Sequence, residues 1–107
     1  MMNVLSAYRD GRLTIYLHGE LDHHEVRQSM AAIDRLLDEY LPRTCVLDLA
    51  DLKFMDSSGI AVVLHTLRRM NTLQGKLLLQ NIPAQPYKVL RAAGIEKITE
   101  IKEECPK

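Results

Sequence analysis

Tryptophan is absent from this sequence of 107 residues, phenylalanine occurs once and cysteine twice. Two cysteines, Cys45 and Cys105, cannot define a disulfide framework, which excludes the small secreted scaffolds that are stapled rather than packed. Cys45 lies inside an apolar run and reads as a small buried hydrophobe, so a reducing compartment, the cytoplasm, is expected. Charge of one sign is missing too, because 14 Lys+Arg balance 14 Asp+Glu. Residues 1–54 carry nine acids and six bases, residues 55–107 five and eight. So mild an asymmetry excludes a nucleic-acid binder, which needs a clustered basic surface. The longest apolar stretches, Ile60–Leu64 and Leu77–Leu79, fall far short of the ~18 residues of a membrane-spanning helix. Met1 to Arg9 lacks a positively charged start followed by an apolar run, so no export signal is expected. Repeats, low-complexity segments and linkers are also missing, and a single domain is expected over residues 1–107.

What is present is the composition of a soluble globular domain, 47% hydrophobic and 26% charged. A chain of this size buries roughly 60–70% of the surface its unfolded form exposes, enough for one core. Val4–Tyr8 and Arg12–His18 read as strands joined through Asp10-Gly11, a hairpin signal. In the second, Leu13, Ile15 and Leu17 alternate with Arg12, Thr14, Tyr16 and His18, so one face should be buried. Val26, Met30, Ile33, Leu37 and Tyr40 then recur at helical spacing, with Arg27, Asp34, Arg35 and Asp38 turned outward. Pro42 bars continuation of that helix.

Cys45 to Leu49 is a short apolar strand of the central kind. A second helical stripe follows Asp56-Ser57-Ser58-Gly59: Ile60, Val63, Leu64, Leu67, Met70 and Leu73, ended by Gly75. Lys76–Gln80 is another strand, Pro86–Ala93 a short helix capped by left-handed Gly94, and Ile98 with Ile101 a last strand. The order β-β-α-β-α-β-α-β links strands two to five through helices, and such right-handed crossovers make neighbouring strands parallel. The expected fold is a small α/β domain with a mixed, mostly parallel sheet and an antiparallel N-terminal hairpin.

In such sheets functional groups gather outside the carboxyl ends of the strands. Two loops qualify: Gly19-Glu20-Leu21-Asp22-His23-His24 after the second strand, and Asp56-Ser57-Ser58-Gly59 after the third. They should lie side by side on one rim. The tetrapeptide supports two readings. As a helix cap, Asp or Ser accepts orphan backbone N–H bonds, worth about 1 kcal/mol over Ala. As a regulatory phosphoacceptor, an exposed hydroxyl stands at a helix N-terminus, with Gly59 letting another backbone come close. Phosphate there would add roughly −1.5 to −2 charge at pH 7. The helix dipole would tolerate that charge, with a typical benefit of ~0.3–1 kcal/mol.

Gly19-Glu20-Leu21-Asp22-His23-His24, Val46-Leu47-Asp48-Leu49 and Phe54-Met55-Asp56-Ser57-Ser58-Gly59-Ile60, together with their spacing and the late pair Gly94-Ile95, resemble the anti-sigma factor antagonists of the STAS domain family, the sporulation and stress-response type. The similarity spans nearly the whole chain. It implies a STAS fold and a partner switch, in which capping and phosphorylation coexist at one turn. The unphosphorylated antagonist binds an anti-sigma factor that is also an ATP-dependent serine kinase, and so frees the sigma factor. The kinase phosphorylates the first serine of the turn, here Ser57, and a metal-dependent phosphatase of the PP2C type restores the binding form. Asp56 is then the flanking carboxylate, Ser58 and Gly59 complete the turn, and Asp22 faces it from the neighbouring loop. His23 and His24 read as exposed first-turn residues that touch the partner. ATP and metal belong to the kinase; this chain is the substrate, with no cofactor and no catalytic residues of its own.

Two departures stand out. Ala61 replaces a glycine that many members carry, and the sequence stops at Lys107 where relatives often continue into a further C-terminal helix, so that element is expected to be shortened or missing. Other chemistries find less support. His18, His23, His24 and His65 have no metal-ligand spacing. Ser57 lacks the Gly-x-Ser-x-Gly elbow of a hydrolase, and no Gly-x-Gly-x-x-Gly or Walker pattern occurs. Arg68-Arg69 reads as a solvated helix face. The alternative function is a STAS scaffold in a stressosome-like or lipid-transport assembly, with Ser57 structural. Nucleotide hydrolysis at the same rim would require turnover by the isolated chain.

Overall fold

The computed structural model describes residues 2–101. Cys105 and the segment on which a shortened C-terminal helix was expected lie outside them. The hairpin forms as the sequence predicts: β1 (Asn3–Arg9) pairs antiparallel with β2 (Arg12–Leu21). Asp10 and Gly11 both take positive φ, 50° and 83°, as a two-residue type I′ turn demands. Then follow α1 (Val26–Tyr40), β3 (Thr44–Asp48), β4 (Leu52–Met55), α2 (Ser57–Thr72), β5 (Lys76–Gln80), α3 (Ala84–Ala92), a 3-10 turn at Ile95–Lys97 and β6 (Glu100–Ile101). The sheet runs β1-β2-β3-β5-β6, with β4 attached beside β2. Every pairing except the hairpin is parallel.

β4 is an element that the hydrophobic pattern does not announce. Only Leu52 and Met55 of its four residues are buried, too short a pattern for either period to register. Asp48 makes the detour possible. Its buried carboxylate accepts from the Ala50 N–H (3.0 Å), Gln80 Nε2 (2.9 Å) and Asn81 Nδ2 (2.9 Å), turning the chain out of β3. The chain then returns along the same edge of β2.

The core lies on one face of the sheet. Leu13, Cys45 and Leu77 stand in register, as do Ile15, Leu47 and Leu79, and they pack with Ile33 and Leu37 of α1 and Val62, Val63 and Met70 of α2. Two helical faces differ from the expected stripes. On α2 the buried residues are Gly59, Val62, Val63, Thr66 and Met70, while Ile60, Leu64, Leu67 and Leu73 are only partly buried. Thr66 fits this apolar face because its hydroxyl donates to the Val62 carbonyl at 2.9 Å. On α1, Asp34 is not turned out to solvent. It accepts from His65 Nε2 at 2.8 Å and from Arg69 at 2.7 Å, and Arg69 also donates to Asp38. Arg69 is therefore no free solvated charge but the bridge between α1 and α2. The hydrogen bond to Asp38, aided by the charges of both carboxylates, raises the guanidinium pKa above its ordinary value against the opposing desolvation. Near the end, Ile98 is 53% exposed and lies outside β6.

The Cys45 thiol is fully buried, and desolvation pushes its pKa up to about 12 from 9.0. The neutral thiol is the form the fold favours, so its contribution is complete below pH 9 and declines as pH rises towards about 12. Alkylation at mildly alkaline pH is expected to spare Cys45 in the native protein and to reach it in denaturant, as peptide mapping would read.

Gly75 is needed for a reason other than ending a helix. A Cβ there would stand 2.4 Å from the Arg43 carbonyl oxygen, which cannot withdraw because it accepts the Lys76 N–H at 3.0 Å. Gly75→Ala is expected to cost about 1–3 kcal/mol through this overpacking, read as a lower urea midpoint. An unchanged midpoint would show that the backbone there yields freely.

Candidate functional site

The β2–β4 pairing sets Leu21 beside Met55. The residues that follow each, the 22–25 loop and the 56–59 turn, are therefore neighbours on one rim. The Asp56 N–H donates across to the Leu21 carbonyl at 3.3 Å, tying the two together. In the first loop, Asp22 is half-buried and builds a local turn: its side chain accepts the His24 N–H at 3.0 Å and its carbonyl accepts the Glu25 N–H at 3.0 Å. His23 and His24 are exposed, with ring centroids 4.0 Å apart.

The second loop is a helix cap. Asp56 is extended (φ −112°, ψ −167°), and its side chain accepts the Ser58 N–H at 2.8 Å. Its carbonyl accepts the Gly59 N–H at 2.9 Å. Ser57 is thus the first helical residue and is exposed, and Ser58 is half-buried. The hydroxyl of Ser57 stands where the helix's unpaired N–H groups and dipole favour negative charge. Gly59 does not serve the purpose expected of it. It is buried, and a Cβ there would meet Met55 Cγ at 2.4 Å. Its missing side chain admits Met55 from inside the molecule rather than a partner from outside.

Two further residues shape the rim. Gln85 of α3 reaches the free edge of β4, where its Oε1 accepts the Met55 N–H at 2.9 Å and its Nε2 donates to the Met55 carbonyl at 2.8 Å. One amide side chain thereby replaces a neighbouring strand at the residue just before Asp56. No sequence signal marks this, since Gln85 is 30 residues away and unremarkable in its context. Phe54, the chain's single phenylalanine, is 40% exposed and stands opposite Glu20 across the strand pair. It stands inside the motif block, and only the fold shows that it is exposed.

Among the described residues, no three or more His, Cys, Asp or Glu side chains are gathered where they could hold a metal ion. No described helix is long and apolar enough to cross a membrane.

A mixed α/β domain that presents a capped serine turn beside a second strand-end loop is the class that this geometry defines. Residues 4–105 match the family model of the STAS domain, and the chain belongs to that family. It is similar to the anti-sigma F factor antagonist of Lysinibacillus sphaericus, 36% identical over 83 residues, or 78% of this chain and 71% of that protein. Similarity to the anti-sigma F factor antagonist of Paenibacillus polymyxa is 32% over 100 residues, covering 94% of this chain and 86% of that one. Among solved structures, the Bacillus cell fate determinant SpoIIAA in its phosphorylated form superposes with a TM-score of 0.70 at 29% identity, over 97% of this chain and 93% of that one.

Gln85→Ala leaves the Met55 N–H and carbonyl without protein partners. The expected loss is about 1–3 kcal/mol of stability, with faster amide exchange concentrated at Met55 and Asp56. Exchange unchanged at those two amides would mean that β4 holds its place without the clamp.

Proposed function

We propose that this protein is an anti-sigma factor antagonist whose binding is switched by phosphorylation of Ser57. The reading rests above all on Ser57 itself: an exposed hydroxyl at the first position of α2, on a turn already closed by Asp56. Its support from relatives is that two are named anti-sigma F factor antagonists and that a third is described in a phosphorylated form. The same reading puts the protein in the bacterial cytoplasm, regulating transcription through its partner.

The chemistry follows from the turn. In the partner kinase, the Ser57 oxygen attacks the γ-phosphorus of bound ATP. The bond to the β-γ bridging oxygen breaks, ADP leaves, and the hydroxyl proton passes to the kinase's base. This chain supplies the hydroxyl and its placement. A hydroxyl that must sit close to nucleotide phosphates is accommodated; a phosphoserine in the same place repels them, and repels the carboxylates of Asp22 and Asp56 on the rim. The charge is tolerated by the helix end and rejected by the partner. Binding therefore falls while the fold stands. Asp22, His23, His24, Asp56 and Ser58 form the contact surface around Ser57, and Gly59 supports it from beneath. A PP2C-type phosphatase would return the antagonist to its binding form.

The test is incubation with the cognate anti-sigma kinase, to be identified through the gene's neighbourhood, and Mg-ATP, with the phosphosite mapped by mass spectrometry. One phosphate on Ser57 and loss of the complex are expected. In calorimetric titration with that kinase, Ser57→Asp should bind at least about tenfold more weakly than wild type, whereas Ser57→Ala should bind normally and stay bound in ATP. Equal binding by wild type and Ser57→Asp would overturn the switch. A stable complex that acquires no phosphate would keep the binding module and discard the switch, and neither phosphate nor complex would favour the scaffold reading.

A further inference from the structure

At one end of the sheet β1 pairs with β2 alone, so among the described residues the other edge of this strand of seven residues is open. Six of the seven are exposed and Val4 is half-buried. Unpaired edges template association, and proteins ordinarily blunt them with Pro, Lys, a bulge or short length. β1 has none of these. Its sequence Asn3-Val4-Leu5-Ser6-Ala7-Tyr8-Arg9 contains neither Pro nor Lys, and its register with β2 is one-to-one throughout. At the opposite end of the sheet the outer strand is β6, of which Glu100 and Ile101 are among the described residues. Leu5 and Tyr8 are 61% and 42% exposed on this open strand.

We propose that the β1 edge is a self-association surface, on which two copies of this chain pair their β1 strands antiparallel about a two-fold axis through Ser6. Side-chain parity narrows the register. Residues directly opposite each other must share a face, and faces alternate along the strand. Val4, Ser6 and Tyr8 stand opposite Leu17, Ile15 and Leu13 of the core face, while Asn3, Leu5, Ala7 and Arg9 lie on the other face. Centring on Ser6 pairs all seven residues with matching faces. Val4 meets Tyr8, Leu5 meets Ala7, Asn3 meets Arg9, and Ser6 meets its own copy. The one charged side chain, Arg9, faces a neutral amide, so no like charges oppose each other. A strand this poor in charge offers little to a strongly acidic or basic partner, whereas its own copy meets it face to face with no like-charge pair.

The rest of the molecule suits this arrangement. Tyr8 is held by stacking on Tyr40 of α1, with ring centroids 4.6 Å apart, so that part of the edge is ordered before pairing. β4 and the rim lie along the opposite edge of β2. A pair joined through β1 therefore keeps both Ser57 turns accessible. A contact along a single strand of seven residues is modest in area, which places the dimer among weak, concentration-dependent associations.

Sedimentation equilibrium of the full chain from ~10 μM to ~1 mM is expected to show the mass rising from 12.2 kDa towards twice that value. Ser6 is exposed and sits on the axis, so one substitution confronts its own copy. S6K and S6E should each dimerise about tenfold more weakly than wild type through like-charge repulsion. Mixed in equal amounts they should recover or exceed wild-type association. Circular dichroism of each variant checks that the fold is kept. A monomer at every concentration overturns the proposal. So does association by S6K or S6E equal to wild type, or a mixture that fails to recover it.

Discussion

β2 presents one edge to two different strands, and the candidate site exists because of that division. Residues 12–16 pair with β3 and residues 19–21 with β4. The register slips between Gly19 and Glu20, where Gly19 takes φ 122°, a conformation that a side chain would strain. The Gly19 N–H is satisfied by the Asp51 carbonyl at 3.2 Å. At the other end of the detour the Asp48 carboxylate gathers the donors that hold the departing chain. Were β3 to continue straight along β2, the serine turn would not be brought to Leu21 by this ladder. Backbone hydrogen bonding, rather than any contact between the functional side chains, places the two loops together.

That origin bears on how the site behaves. The turn is fixed from three directions: the Asp56 cap along the helix, the Leu21 carbonyl across the sheet, and the Gln85 amide behind Met55. Gly59 lets Met55 pack beneath it. A surface so supported does not need to fold around a partner, so the ordering cost of binding is small. Under the proposed switch, phosphate changes the charge of a pre-formed surface and leaves the scaffold under it untouched. A rigid rim suits a device whose two states differ by one covalent group.

Further from the rim, α1 and α2 are held by charge as well as by packing. Arg69 spans Asp34 and Asp38, and His65 shares Asp34. The group is partly exposed, so it contributes orientation more than stability. It sets the two helices relative to each other, and α2 carries Ser57 at its first turn.

Elements whose signal is local could be read from the residues in order. The Asp10-Gly11 hairpin, the α1 periodicity, the parallel strands around Cys45 and Leu79, the left-handed Gly94 (φ 74°) and the Asp56 cap each depend on a few adjacent side chains. The motif blocks likewise identified the family and singled out Ser57. What depended on distant partners could not be read. β4 is a strand because β2 has an edge free beside it, Gln85 matters because α3 delivers its amide to Met55, and Gly59 and Gly75 are required by neighbours that close on them in space. Asp34 and Arg69 looked like solvated charges until α1 met α2. Propensity, capping and periodicity act within a few residues of chain, so the sequence alone determined the locally signalled elements and the cap at the serine turn. Which edges pair, which carbonyls are left open and which side chains fill them are settled only when remote segments compete for the same space, and that was decided by the tertiary structure.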